Sequence, residues 1–218
     1  MTRTHFDQAL ERLEQSLLRL GARATEAIHQ ALDALARQDL DLAEKITSND
    51  DMIDDMTLEI EEECIRLIAL QQPIAKDLRI ITTVLKTSTD LERIADHATN
   101  IAEITMRIGR NPLIKPLVDL PNLAIEVEKM VHSALEAFVS RDIEKAKQTC
   151  IYDDVIDKKY EELFIELTEF IRTDEDKDRV VQALNLLFVA RFLERVGDHA
   201  TNIGERVIYL VTGENANY

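Results

Sequence analysis

Glu92, Asp96, Asn100 and Glu103 succeed one another at steps of four, four and three residues. That spacing sets side chains along one face of a helix. Glu194, Asp198, Asn202 and Glu205 repeat it 102 residues later. Both sets belong to a stretch that occurs twice, Leu91-Glu92-Arg93-Ile94-Ala95-Asp96-His97-Ala98-Thr99-Asn100-Ile101-Ala102-Glu103 and Leu193-Glu194-Arg195-Val196-Gly197-Asp198-His199-Ala200-Thr201-Asn202-Ile203-Gly204-Glu205. Ten of the 13 positions are identical, and the other three exchange Ile for Val or Ala for Gly. Chance does not produce this, so the chain reads as two homologous halves.

A second acidic pair precedes each copy. Asp50 and Asp54 are four apart and correspond to Asp153 and Asp157, 103 residues on. The pairs of one half fall on consecutive helices, at similar distances from the turn between them, so they can face each other. Four carboxylates meeting in one place raise one another's pKa and must protonate, separate in water or bind cations. Oxygen-only ligation suits hard or borderline cations: iron, manganese, magnesium or calcium, with zinc an alternative. The duplication of both pairs favours a metal site made of Asp50, Asp54, Glu92 and Asp96, and a second made of Asp153, Asp157, Glu194 and Asp198, over a merely solvated acidic surface. Lys158 stands where the first half has Asp55, so the two sites need not be equal.

Other repeated residues read as structural. Arg93 and Arg195 suit internal ion pairs more than an anion site, and His97 and His199 suit either the edge of the acidic site or packing at a helix crossing. His29 and His132 recur on helices whose neighbours are apolar and read as satisfied structural histidines. Gly197 and Gly204, against Ala95 and Ala102, suggest close helix approach that offsets the roughly 1 kcal/mol cost of mid-helix glycine. Glu26-Ala27-Ile28-His29 has a di-iron ligand spacing, but its counterpart begins with Lys129. Gly-rich loops, GxSxG and HExxH are missing, so no catalytic residue is assigned.

Composition agrees with a helical protein. Apolar residues make up 45% and aromatics only 5%, with five Gly, four Pro and no Trp. A net charge of −16 argues against nucleic-acid binding, which needs clustered Lys and Arg. Cys64 and Cys150 form no CxxC motif, and free thiols point to a reducing, cytoplasmic setting.

Apolar periodicity predicts helices over about 4–37, 39–70 and 73–108 and then, where the pattern restarts, a fourth helix, a fifth over about 142–171 and a sixth running from the polar turn at 173–176 to about 211, with Asp39 and Asp142 as N-caps and Thr212-Gly213 as the final stop. Gly109 to Pro121 holds three of the four prolines and reads as the linker. The expected fold is all-α: two tandem homologous three-helix bundles, each up-down-up, forming an elongated six-helix molecule on the order of 50 Å long. The halves are residues 1–109 and 122–218, joined by 110–121.

These residues resemble the PhoU family of phosphate-uptake regulators. The resemblance covers the chain, from Gln72-Pro73-Ile74-Ala75-Lys76-Asp77-Leu78-Arg79 through both copies of the doubled motif to Tyr209-Leu210-Val211-Thr212-Gly213-Glu214. It implies multinuclear iron or zinc, with manganese or magnesium as alternatives, at the eight carboxylates named above. It also implies a non-enzymatic cytoplasmic adaptor, often a homodimer, acting at the inner face of the membrane. Its partners would be a Pst-type phosphate ABC transporter and a membrane sensor kinase, and it would restrain uptake and the phosphate-starvation response. An accessory protein of a Pit-type permease is one alternative, and a metal-dependent helical enzyme the other.

Overall fold

A computed structural model describes residues 3–216 and 218. Its helices are α1 (Arg3–Arg37), α2 (Leu40–Ser48), α3 (Asp50–Gln71), α4 (Ala75–Ile108), α5 (Asp119–Ser140), α6 (Ile143–Ile151), α7 (Asp153–Thr173) and α8 (Lys177–Thr212). The six rods expected from periodicity are present, but the middle rod of each half is interrupted by one residue, Asn49 or Tyr152. Each interruption opens a new first turn, and Asp50 and Asp153 occupy it.

The helix ends follow local chemistry. Asp39 caps α2 by accepting from the Leu42 amide at 3.0 Å, and Asp142 caps α6 through the Lys145 amide at 3.0 Å. Asp176 caps α8 in the same way, at 2.9 Å to the Asp178 amide. Pro73 lies just before α4, whereas Pro121 falls in the first turn of α5, where a missing N–H is harmless. Gly213 ends α8 at φ 80°, a left-handed conformation that favours glycine.

The core is continuous through both halves. Leu13, Leu17, Leu20, Ile28 and Leu35 form the buried stripe of α1, which packs on α4 and α5. α4 and α8, the two helices that carry the doubled motif, pack against each other. Ala95, Ala98 and Ala102 on α4 and Gly197, Ala200 and Gly204 on α8 are fully buried or nearly so.

Gly204 faces α6 so closely that an added Cβ would stand 2.7 Å from Cys150 Sγ and 3.1 Å from the Ala146 carbonyl. Gly204→Ala is therefore expected to destabilise the fold, although alanine is the better helix former by about 1 kcal/mol. Overpacking costs about 1–3 kcal/mol, and the backbone carbonyl cannot turn aside. Thermal unfolding should drop by a few degrees; a higher midpoint would show that α6 gives way. Cys64 and Cys150 are free and buried, and burial pushes both thiols up to about 12.

Candidate metal centre

In the first half, α3 and α4 bring Asp54, Glu92 and Asp96 together. One carboxylate oxygen from each lies within 4.8 Å of the others, the only such three-residue convergence among the described residues. Asp50 stands one turn before Asp54 and accepts from Thr99 Oγ1 at 3.0 Å, a bond that ties α3 to α4. Asp96 Oδ2 accepts from Arg93 Nη1 at 2.9 Å. The acid groups of Asp54 and Glu92 are raised, first by burial and then by neighbouring carboxylates, Asp50 and Asp96 for Asp54 and Asp96 for Glu92.

Asn100 and Glu103, on the same helical face by spacing, do not join the cluster. Asn100 Nδ2 turns back to the Asp96 carbonyl at 2.8 Å, and Glu103 is exposed.

The second half places Asp153 and Asp157 on α7 and Glu194 and Asp198 on α8. Burial, then the charges of Asp157 and Asp198, push Asp153 up to about 6. Asp153 Oδ1 is buried without a hydrogen bond of normal geometry, and only the Thr201 hydroxyl moderates it. Glu194 is 8% exposed, and its Oε2 has no hydrogen-bond partner. Its Oε1 is taken by Arg191 Nη1, while Arg195 pairs with Asp198 at 3.2 Å and stands 4.0 Å from Glu194 Oε2.

Arg93 and Arg195 thus form the internal ion pairs expected of them, and both acidic pairs of each half sit on facing helices. Buried or crowded carboxylate oxygens, raised in pKa and short of cations, are the donor set a hard divalent ion requires. Asp54, Glu92 and Asp96 would hold it in the first half, with Asp50 beside them. Bound there, the ion would supply the positive charge that these acids lack.

The histidines fall in two places. His97 and His199 leave the carboxylates and meet in the α4–α8 crossing, ring centroids 5.7 Å apart. His97 stacks on Phe192 at 5.5 Å, and burial lowers it to about 4. His199 Nδ1 lies 2.9 Å from Asp90 Oδ1. His29 and His132 lie at the surface, their side chains 65% and 71% exposed on the groove between α1 and α5, where they pair with Glu128 and Glu136 at 3.4 Å. They follow the buried Ile28 and Val131 by one residue, a 100° step that carries them to the surface.

Sequence reasoning missed Asp90. It is 5% exposed on α4 and reaches across to α8, where it meets His199, Asn202 and Arg206. It also missed Tyr160 and Arg191, which border the second carboxylate cluster.

Comparison with known proteins agrees with the doubled architecture. The family model described as PhoU domain matches twice, over residues 17–105 and 120–207. The chain is 43% identical over 218 residues to a "phosphate-specific transport system accessory protein PhoU homolog" of Clostridium acetobutylicum, covering 100% of this chain and 99% of the relative. A relative of the same description from Pseudomonas aeruginosa is 36% identical over 216 residues, 98% of this chain and 88% of its own. Among solved structures, the phosphate transport system regulatory protein PhoU from Streptococcus pneumoniae superimposes with a TM-score of 0.90 at 33% identity, covering 98% of this chain and 100% of that one. PhoU from Pseudomonas aeruginosa gives a TM-score of 0.90 at 36% identity, over 96% of this chain and 100% of that one. With the repeat, the fold and the length all matched, the chain belongs to the PhoU family.

Proposed function

We propose that this protein is a metal-binding regulatory adaptor of phosphate homeostasis. It restrains phosphate uptake and the starvation response by linking a Pst-type ABC transporter to a membrane sensor kinase. The observation that carries the reading is the end-to-end likeness to relatives described as accessory proteins of the phosphate-specific transport system. The adaptor works in the cytoplasm as a homodimer and meets the membrane only through its partners. Among the described residues no helix is long and apolar enough to cross a membrane. Phe164, Leu184 and Phe188 on α7 and α8 are exposed and offer apolar surface to partner proteins. The paired carboxylates bind iron, with zinc, manganese or magnesium as alternatives, and the bound charge stiffens the α3–α4 face.

The test is a phosphate-responsive phosphatase reporter in a strain lacking the gene, grown in excess phosphate. The reporter is expected to switch on, and the wild-type gene to silence it again. A silent reporter together with altered uptake through a Pit-type permease would transfer the adaptor to that system. Phosphoester or oxygen turnover by metal-loaded protein would replace the adaptor with an enzyme.

A further inference from the structure

We infer that Arg191 is a tethered cation that occupies the second carboxylate cluster, so that metal ions load the first half alone. The inference rests on the metal-binding reading above and concerns how the two clusters differ.

Compared at the repeat offset, the clusters share their four acids and one arginine. Arg93 on Asp96 in the first half matches Arg195 on Asp198 in the second. Beyond these the halves diverge in a correlated way. Thr57 and Thr89 of the first half are replaced by Tyr160 and Arg191, and Asp55 by Lys158. The Arg191 guanidinium carbon stands 5.7 Å from the centre of the Tyr160 ring, and Nη1 donates to Glu194 Oε1. An aromatic face on one side and a carboxylate on the other fix the planar group in place.

Thr89 cannot do this. Its hydroxyl donates to the Leu85 carbonyl of its own helix at 3.3 Å. Glu92 is consequently free to turn toward Asp54 and Asp96, and the three oxygens converge within 4.8 Å. In the second half Arg191 holds the equivalent glutamate, and its charge also acts on Asp157. A divalent cation arriving there must displace the guanidinium or sit beside it against like-charge repulsion. A covalently attached occupant is always present, so a soluble ion competes with it at a standing disadvantage.

The experiment is a Mn2+ titration of the chelator-stripped full-length protein, following loss of the free-ion electron paramagnetic resonance signal. Wild-type protein should saturate one class of site, abolished by Asp54→Asn and untouched by Asp157→Asn. Arg191→Thr, which restores the first-half residue, should double the uptake and tighten binding in the second half at least ten-fold. Asp157→Asn should remove the gained half. Arg191→Lys should behave as wild type, because it keeps the charge. Arg191→Met keeps the stem against Tyr160 and should give the same doubling if the threonine variant folds poorly. Equal loading of both halves in wild-type protein overturns the inference while leaving metal binding intact. So does unchanged uptake in a folded Arg191→Thr protein. Uptake by neither half in any variant overturns the metal reading itself and this inference with it.

Discussion

Asp90→Ala should be the most damaging single substitution outside the apolar core. Asp90 sits between α4 and α8, where its carboxylate meets Arg206 and His199 Nδ1, with Asn202 Nδ2 at 3.4 Å. Arg206 also donates to the Lys86 carbonyl at 2.6 Å. Burial depresses the Arg206 guanidinium to about 10, the mark of a cation that depends on its partner. Truncating one member of a buried pair leaves the other uncompensated, at a cost of about 3–5 kcal/mol. For a chain of this length that is roughly 10 °C or more in thermal midpoint.

Arg206→Ala should cost a similar amount for the converse reason. Asp90→Leu with Arg206→Met, which removes both charges and keeps the volume, should recover most of the loss. Chemical denaturation of the three variants measures the cycle. A single-variant loss under about 1 kcal/mol, or a double variant no better than either single, would show that solvent already screens the pair.

Asp90 also marks the limit of what the sequence reveals. The repeat made the carboxylate pairs legible because both halves keep them, and helical spacing then placed each pair on one face. Asp90 has no such support. Its counterpart 102 residues on is Phe192, which stacks on His97, so the two sides of one crossing are built from different chemistry. Arg191 and Tyr160 were hidden in the same way, opposite Thr89 and Thr57. Comparison of halves finds what is shared, whereas these residues matter because they are not.

The breaks at Asn49 and Tyr152 carry neither glycine nor proline. Each shows as a shortened step in backbone hydrogen bonding, Met52 N to Asn49 O at 3.2 Å and Val155 N to Tyr152 O at 3.0 Å, both reaching three residues back instead of four. The packing of α4 on α8 was likewise beyond reach. Periodicity identifies the buried face of a helix but not which buried face it meets.

Asp153→Asn should stabilise the metal-free protein at neutral pH, against the expectation for a carboxylate in the first turn of a helix. Burial and the charges of Asp157 and Asp198 lift the Asp153 acid to about 6 in the folded state, from an unfolded value of 3.8. Between those values the folded chain holds a proton that the unfolded chain has released. Stability contributed by this group is therefore full below about pH 4 and falls as pH rises toward about 6, the reverse of an ion-paired aspartate. Each unit of difference corresponds to about 1.4 kcal/mol, and partial solvent contact reduces the total to about 2 kcal/mol. Loss of the favourable charge at the start of α7 returns about 0.5 kcal/mol.

The asparagine variant should thus unfold several degrees higher than wild type at pH 7 in chelator, and at nearly the same temperature at pH 4. Asp54→Asn should give the same sign, because its acid is also raised by burial and by Asp50 and Asp96. Equal midpoints at pH 7 would mean that Thr201 and solvent already satisfy the ionised Asp153, and the second cluster would then carry no electrostatic strain for Arg191 to relieve. Arg191 pairs with Glu194 and leaves the Asp153 acid raised, so the pH dependence of unfolding reads directly what that residual crowding costs.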